Sequence, residues 1–281
     1  MSAIRPRTAA SRTSVRRSRL LLRMPARART AVRELGEGAA ELLWPTRCVG
    51  CDMPGVLLCP DCRERLPLID QARACPRCGA PFGSLVCTEC TSCHADEDEE
   101  SGNLPGDAPL VELLPTALDG VCCAGVLSWP LDALIRTYKD AGERRLAPLL
   151  ADVLAQALVA TRAFDVRDVT ALAFVPAAPR AFARRGFDHM EAVARALAGL
   201  LGLPLRDVLA RGGGTDQRRL GRSERAANAA GDVVACARLD GESVLLLDDV
   251  LTTGATLLAC AHALRDAGAS RVLGACLARA W

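Results

Sequence analysis

The sequence predicts an α/β fold, in which helices flank a parallel sheet, with a small metal-binding module ahead of it. After residue 110, short apolar runs alternate with segments of helical spacing, which is typical of buried parallel strands covered by helices. Before residue 93, four Cys-x-x-Cys motifs follow one another, a spacing typical of zinc ligands. We therefore expect a basic, disordered leader over 1–43, a metal module over 44–93, an acidic linker over 94–109 and an α/β domain over 110–281.

Composition limits what the 281 residues can form. Half of the residues are apolar but only 3% are aromatic, so the core must consist of Leu, Val and Ala. No apolar run approaches the roughly 18 residues that span a membrane, and no secretory core is present, so we expect a cytoplasmic protein. Lysine occurs only at position 139, whereas arginine and alanine abound, which is typical of a high-GC bacterial genome.

The leader and the linker differ sharply in charge. The first 33 residues contain many arginines and no acidic residue, whereas residues 96–100 are all acidic. We interpret the first stretch as a disordered leader, or as the result of a start codon assigned upstream of Met24. A basic arm for nucleic acid is the third interpretation. The acidic run, among Gly, Asn and Pro, predicts a solvated linker.

The four Cys-x-x-Cys motifs offer enough thiolates for two zinc ions. Metal would supply the folding free energy that so short a segment cannot obtain from a core, and no open coordination position is implied, so both ions are structural. Disulfides or an iron–sulfur cluster are the alternatives. We prefer sequential pairing of the motifs, which closes a short loop in each half, over pairing of the first with the third. The ligands are Cys48, Cys51, Cys59, Cys62, Cys75, Cys78, Cys87 and Cys90.

The body of the chain reads as strands and helices in alternation. The strands are apolar runs, and the helices carry apolar residues at three- and four-residue intervals. We expect strands at Gly120–Trp129, Ala171–Val175, Val233–Cys236, Val244–Leu247 and Arg271–Leu277. We expect helices at Leu131–Lys139, Leu146–Ala160, His189–Leu201 and Thr256–Ala267. The cysteines in apolar surroundings are expected to be buried, and they are Cys122, Cys123, Cys236, Cys260 and Cys276.

The most informative segment, Val244–Thr256, reads VLLLDDVLTTGAT. Its apolar strand ends in two carboxylates, Asp248 and Asp249, and a loop with amide and hydroxyl donors then leads into a helix, which predicts a phosphate cradle. Adjacent carboxylates would repel phosphate, but they suit ribose hydroxyls or a divalent cation. The segment therefore predicts a site for a phosphorylated ribose at the carboxyl end of a strand. An ordinary turn with a Thr N-cap is the alternative. The loop residues are Thr252, Thr253, Gly254, Ala255 and Thr256.

This segment resembles the phosphoribosyl-pyrophosphate signature of type I phosphoribosyltransferases. The resemblance implies that Asp248 and Asp249 are the catalytic pair that binds the ribose 2′- and 3′-hydroxyls, and that the loop binds the 5′-phosphate. Three further segments, 135–147, 175–188 and 215–228, together with the cysteine module, resemble the ComF/GntX family over roughly residues 44–280.

The resemblance also suggests further ligand-binding residues. The basic stretch with Arg184 and Arg185 is expected to face the pyrophosphate, and a segment with Gln217 and Arg225 resembles the mobile loop that closes over such sites. Lys139, in the first of the three segments, is included in the predicted substrate-binding set. The family pattern has Asn-Gln after Arg-Gly-Phe, where this chain has Asp188-His189, so no role carries over to that pair. For Arg184 and Arg225, a solvated charged face is the alternative.

Two functional hypotheses follow. The first is phosphoribosyl transfer to an unknown acceptor, which requires an oriented ribose, a leaving pyrophosphate neutralised by Mg²⁺ and arginines, and exclusion of water. The second, which the resemblance to the ComF/GntX family implies, is a non-catalytic protein of DNA uptake, or competence, that kept the phosphoribosyl pocket. That protein would bind single-stranded DNA, or a protein partner, through the metal module, whose arginines are Arg47, Arg63, Arg65, Arg73 and Arg77.

Overall fold

The computed structural model describes residues 45–82, 86–91, 117–211 and 233–280. The predicted leader, the acidic linker and the segment with Gln217 and Arg225 lie outside the described residues. The described chain divides into two compact units: the smaller holds residues 45–48 and 52–56, and the larger holds residues 49–51 and 57–280. No helix in the described ranges is long and apolar enough to cross a membrane.

A four-stranded parallel sheet forms the centre of the larger unit. Its spatial order is β1 (Val121–Val126), β6 (Arg271–Arg279), β5 (Ser243–Leu251) and β2 (Ala171–Phe174). Helices flank the sheet, and the described helices are α1 (Pro60–Glu64), α2 (Thr88–Thr91), α3 (Leu131–Lys139), α4 (Ala147–Ala160), α5 (Pro179–Arg185), α6 (His189–Leu201) and α7 (Ala255–Asp266). This arrangement confirms the predicted fold class.

Both faces of the sheet are buried, which explains why its strands are continuous apolar runs. Along β5, alternate side chains point to opposite faces. Leu245 and Leu247 belong to a core cluster that also contains residues of α4 and α6. Val244 and Leu246 belong to a second cluster that contains residues of α7. The carboxylates of β5 are therefore held by a strand that is packed on both sides.

Most element bounds agree with the periodicity of the sequence, and the differences have local causes. Helices α3 and α6 have the predicted bounds. Strand β3 (Leu209–Arg211) was not expected; it pairs antiparallel with β4 (Val233–Ala235) in a separate two-stranded sheet. Helix α5 was also missed, because none of its residues is buried and it carries no apolar period. Cys236 is exposed, contrary to expectation, because it follows the last residue of β4.

The segment between the two cysteine groups of the metal module runs along the edge of the sheet. Ile69 donates its backbone N–H to the Ala124 carbonyl at 3.0 Å, and Val126 donates to the Pro67 carbonyl at 2.8 Å. The buried Gln71 side chain adds a hydrogen bond to the Cys123 carbonyl at 2.9 Å. This segment covers the outer side of β1, whose backbone groups would otherwise form an unprotected sheet edge.

Candidate functional site

The acidic pair lies inside β5, not at its end as the sequence suggested. Pairing with β6 continues through Asp248 as far as Leu251, whereas pairing with β2 stops at Leu247. Asp248 and Asp249 therefore stand where one neighbouring strand has ended and the other continues. They are 8% and 7% exposed, so the carboxylates are nearly buried at the carboxyl end of β2, where parallel sheets bind ligands.

Hydrogen bonds fix both carboxylates. Asp249 accepts the Val250 backbone N–H through Oδ1 at 2.8 Å. Its other oxygen, Oδ2, contacts the Lys139 ammonium and lies 3.0 Å from His189 Nε2. Asp248 Oδ1 accepts the backbone N–H of Asp249 at 2.9 Å. The cationic and N–H partners thus gather on Asp249 rather than on Asp248.

This asymmetry separates the pKa values of the two carboxyls. Burial, and then the negative charge of Asp249, raise the pKa of Asp248 to about 8. Burial would also raise the pKa of Asp249, but the hydrogen bond of His189 and the charge of Lys139 hold that pKa below its usual value. At neutral pH one carboxyl is therefore mainly protonated and its neighbour ionised, an arrangement that lets one group donate while the other accepts.

The residues at the start of α6 also reach the site. Asp188 caps the helix by accepting the Met190 N–H at 2.9 Å, and its other oxygen accepts the Ala177 N–H at 2.6 Å. The next residue, His189, is 7% exposed and points at Asp249. Sequence reasoning missed His189. The available signal was a histidine placed immediately after the basic stretch, at the first position of a helix.

The predicted phosphate loop forms the turn between β5 and α7. Gly254 caps α7 with φ of 85°, in the left-handed region that favours glycine. Thr252 and Thr253 are exposed, and Thr253 Oγ1 accepts the Ala255 N–H at 3.4 Å. The buried Arg279, which was not predicted, donates to the carbonyls of Leu251 and Thr252 at 3.2 and 3.0 Å. The loop is therefore anchored from β6, with its hydroxyls open to solvent.

A cleft of about 230 Å³ joins these groups. Arg185 lines it, and its side chain is only 8% exposed; its Nε has no hydrogen-bond partner among the described residues. Arg211, another residue missed from the sequence, donates to the Pro176 carbonyl at 2.9 Å in the same cleft. Arg184 instead is exposed and lies 3.5 Å from Asp140. The predicted residues brought together on this cleft are Lys139, Arg185, Asp248, Asp249 and Thr256.

The cysteines of the metal module form two groups of four, each with its sulfur atoms within 4.8 Å of one another. Sulfur–sulfur distances are 3.6 Å for Cys51–Cys59 and 3.5 Å for Cys78–Cys87. A tetrahedral zinc site with ordinary bond lengths has a sulfur–sulfur distance of about 3.8 Å, so both groups fit a structural zinc ion. The grouping is sequential: the first holds Cys48, Cys51, Cys59 and Cys62, and the second holds Cys75, Cys78, Cys87 and Cys90.

Several arginines of the metal module have partners within the chain. Arg47 lies 2.7 Å from the Asp52 carboxylate, and Arg63 forms an ion pair with Asp152 of α4. Arg73 lies 3.7 Å from Asp70, and Arg77 donates to the Cys90 carbonyl at 3.4 Å. The carboxylates beside Arg47, Arg63 and Arg73 lower the positive potential that a nucleic-acid surface needs.

Comparison with known families gives two matches. Residues 39–100 match the double zinc ribbon domain, and residues 181–280 match the phosphoribosyl transferase domain. The chain thus contains one segment similar to a double zinc ribbon and one similar to a phosphoribosyltransferase domain, and its parallel sheet with flanking helices agrees with the second match. Comparison with curated proteins gives no match.

Solved structures of phosphoribosyltransferases are among those similar to the chain. Glutamine phosphoribosylpyrophosphate amidotransferase from B. subtilis, complexed with ADP and GMP, is 20% identical over 47% of this chain and 26% of its own, with a TM-score of 0.34. Purine phosphoribosyltransferase from Pyrococcus horikoshii Ot3 is 19% identical over 48% of this chain and 73% of its own, with a TM-score of 0.31. Adenine phosphoribosyltransferase from Leishmania tarentolae is 19% identical over 48% of this chain and 57% of its own, with a TM-score of 0.29. The chain spans about a quarter of the amidotransferase.

Proposed function

We propose that this protein binds phosphoribosyl pyrophosphate, or a related ribose 5-phosphate, and is a ComF-type bacterial phosphoribosyltransferase-like protein. The observation that carries the proposal is the buried pair Asp248–Asp249, which shares one cleft with Thr256 at the start of α7. Carboxylates recognise the hydroxyls of a ribose, and a helix N-terminus recognises a phosphate. A ribose 5-phosphate has both the hydroxyls and the phosphate that such a pair of sites would bind.

Each residue of the cleft then has a distinct task. The ionised Asp249 accepts a hydrogen bond from a ribose hydroxyl. The protonated Asp248 is able to donate a hydrogen bond to a ribose oxygen as well as to accept one. Lys139 and Arg185 offer positive charge to the pyrophosphate from the cleft wall. Mg²⁺, entering on the oxygens of the ligand, would neutralise the leaving pyrophosphate. A transfer reaction would break the bond between C1 and pyrophosphate and form a bond between C1 and the acceptor, so that pyrophosphate leaves and the acceptor carries the phosphoribosyl group.

Binding is tested by calorimetry with phosphoribosyl pyrophosphate and Mg²⁺. The wild type should bind, and the double variant Asp248→Asn/Asp249→Asn should bind at least about tenfold more weakly, because the charged hydrogen bond that Asp249 accepts is worth that much. Asp207→Asn, at an exposed carboxylate outside the cleft, is the matched control. Equal affinity of the double variant and the wild type would show that the acidic pair is not the ribose clamp.

Turnover distinguishes a transferase from a binding protein. A transferase should release pyrophosphate when a purine, pyrimidine or amine acceptor is added to the wild type with phosphoribosyl pyrophosphate. The same assay on Asp248→Asn/Asp249→Asn is the control for spontaneous hydrolysis. Ligand binding without pyrophosphate release across the acceptor panel would assign the chain to the non-catalytic class.

The alternative role, in nucleic-acid binding and DNA uptake, has weaker support. Arg47, Arg63 and Arg73 of the zinc ribbon lie beside carboxylates of this chain. That role predicts single-stranded DNA binding that falls with salt and is lost in Arg65→Glu/Arg73→Glu. Without such binding, contacts with a protein partner are the remaining external role for the ribbon.

A further inference from the structure

His189 connects Arg185 and Asp249, two charged residues of the cleft. It belongs neither to the predicted catalytic residues nor to the predicted substrate-binding residues. Its imidazole is 7% exposed; Nδ1 lies 3.2 Å from Arg185 Nη1, and Nε2 lies 3.0 Å from Asp249 Oδ2. Its backbone carbonyl accepts the buried Tyr138 hydroxyl of α3. Both the ring and the backbone of this residue are therefore fixed by neighbours from three different elements.

The partners of the ring determine which nitrogen carries the proton. A guanidinium group only donates hydrogen bonds, so Nδ1, which faces Arg185, must accept. The proton then sits on Nε2 and is donated to Asp249. The nearby Asp188 carboxylate is consistent with this tautomer. Its Oδ1 lies 3.8 Å from Nδ1, beyond hydrogen-bond distance, and accepts the Met190 N–H instead.

We propose that His189 is a positioning residue of the ribose site: as a neutral imidazole it accepts from Arg185, donates to Asp249, and fixes the orientation of that carboxylate. Only the nature of the ligand in this inference rests on the proposed function. The ring has no lone pair directed into the cleft, because Nδ1 is engaged by Arg185 and Nε2 carries the proton. His189 therefore acts through Asp249 and is not a general base.

The two donors on Asp249 Oδ2 differ in how firmly they are held. Lys139 stands in the last turn of α3 with its side chain 30% exposed, whereas the His189 side chain is 8% exposed. A phosphate group entering the cleft can draw the lysine ammonium away, since a long flexible side chain moves at little cost. The buried His189 side chain keeps its hydrogen bond to Asp249 Oδ2 and so holds the carboxylate in place. Asp249 Oδ1, which accepts one hydrogen bond from the Val250 N–H, then accepts a second from a ribose hydroxyl.

Nitrogen-15 NMR of the histidine side chains tests the tautomer of His189 without any ligand. The chain has three histidines, and the His189 signal is the one missing from His189→Gln. We expect a protonated Nε2 and an unprotonated Nδ1 at neutral pH, with the Nε2 signal moving in Asp249→Asn. A protonated Nδ1, or an imidazolium at neutral pH, would overturn the inference whether or not the protein binds phosphoribosyl pyrophosphate.

Ligand affinity tests the positioning role. A glutamine amide has one acceptor and one donor, so His189→Gln should bind phosphoribosyl pyrophosphate within about threefold of the wild type. His189→Leu should bind about tenfold or more weakly, as expected for loss of a hydrogen bond to a charged group. His262→Gln, at an exposed position of α7, is the matched control.

Each outcome of this experiment separates the inference from the proposed function. A wild type that binds while His189→Leu binds equally well removes the positioning role and leaves the proposed function standing. A wild type that does not bind removes the proposed function, and the NMR result alone then decides on His189. If His189→Leu does not fold, loss of affinity in His189→Gln would refute the inference, because that variant keeps both hydrogen-bonding functions.

Discussion

Asp248 should make the folded state less stable as the pH rises. Its pKa, raised to about 8 in the folded chain by burial and by the charge of Asp249, is near 4 in an unfolded chain. Between these values the folded state binds a proton that the unfolded state has released, so unfolding becomes easier with increasing pH. The slope reaches about 1.4 kcal/mol per pH unit, and the loss across the window is about 5 kcal/mol as an upper bound.

Asp248→Asn should remove this slope, because an asparagine of nearly the same shape does not titrate. Urea unfolding followed by circular dichroism, between about pH 4 and about pH 8, should show falling stability for the wild type and a flatter profile for the variant. The variant should therefore be the more stable protein at the alkaline end. Parallel profiles for wild type and variant would refute the assignment of the raised pKa to Asp248.

Asp249→Asn is the contrasting control. The folded pKa of Asp249 is held below its usual value, so its contribution to stability is present above about pH 4 and is lost as the pH falls through the folded value. Its replacement leaves Lys139 and His189 without their carboxylate at neutral pH. We expect Asp249→Asn to be destabilised where Asp248→Asn is stabilised.

Two further predictions concern the zinc ribbon. Gly79→Ala should lower the free energy of unfolding by about 2–5 kcal/mol, because φ is 70° and the new methyl group would stand 2.6 Å from Cys123 Sγ. The control Gly202→Ala, with φ of 68° and nothing within 4 Å of the new methyl group, should lower it by only about 1–2 kcal/mol. Equal losses in thermal unfolding would show that the ribbon does not pack on β1. Elemental analysis should find two zinc ions per chain, falling to one in Cys75→Ser/Cys78→Ser, whereas a folded wild type free of zinc would contradict structural metal.

Local patterns in the sequence were sufficient for much of the fold. Helix α6 begins where Asp188 caps it and ends at Gly202 in the left-handed region, and both signals are visible in the sequence. The cysteine spacing likewise predicted eight ligands for two zinc ions, and it favoured the sequential grouping without deciding between it and the interleaved one. Strand β3 could not be predicted this way, because its three residues are defined by pairing with β4 across a long sequence separation.

The candidate site shows the same limit more clearly. Its loop and its acidic pair are contiguous in sequence, so a motif could predict them. Lys139 and His189 reach Asp249 from 110 and 60 residues away, and only the folding of α3 and α6 onto the sheet brings them there. The end of β5 was misjudged because charged residues usually end a buried strand, whereas here β6 continues to pair beyond them.

The register of the sheet connects the second zinc group with the acidic pair. Cys123 Sγ contacts the carbonyl of the ligand Cys78 at 3.9 Å; Cys123 is the neighbour of Cys276 on β6, and Cys276 is the neighbour of Asp248 on β5. All four residues are nearly inaccessible to solvent, and a core at crystal-like density transmits displacements rather than absorbing them. The second zinc group is therefore packed, through Cys123 and Cys276, against the row of the sheet that carries Asp248. If the proposed function holds, this packing gives the second zinc ion a structural task in supporting the ribose site.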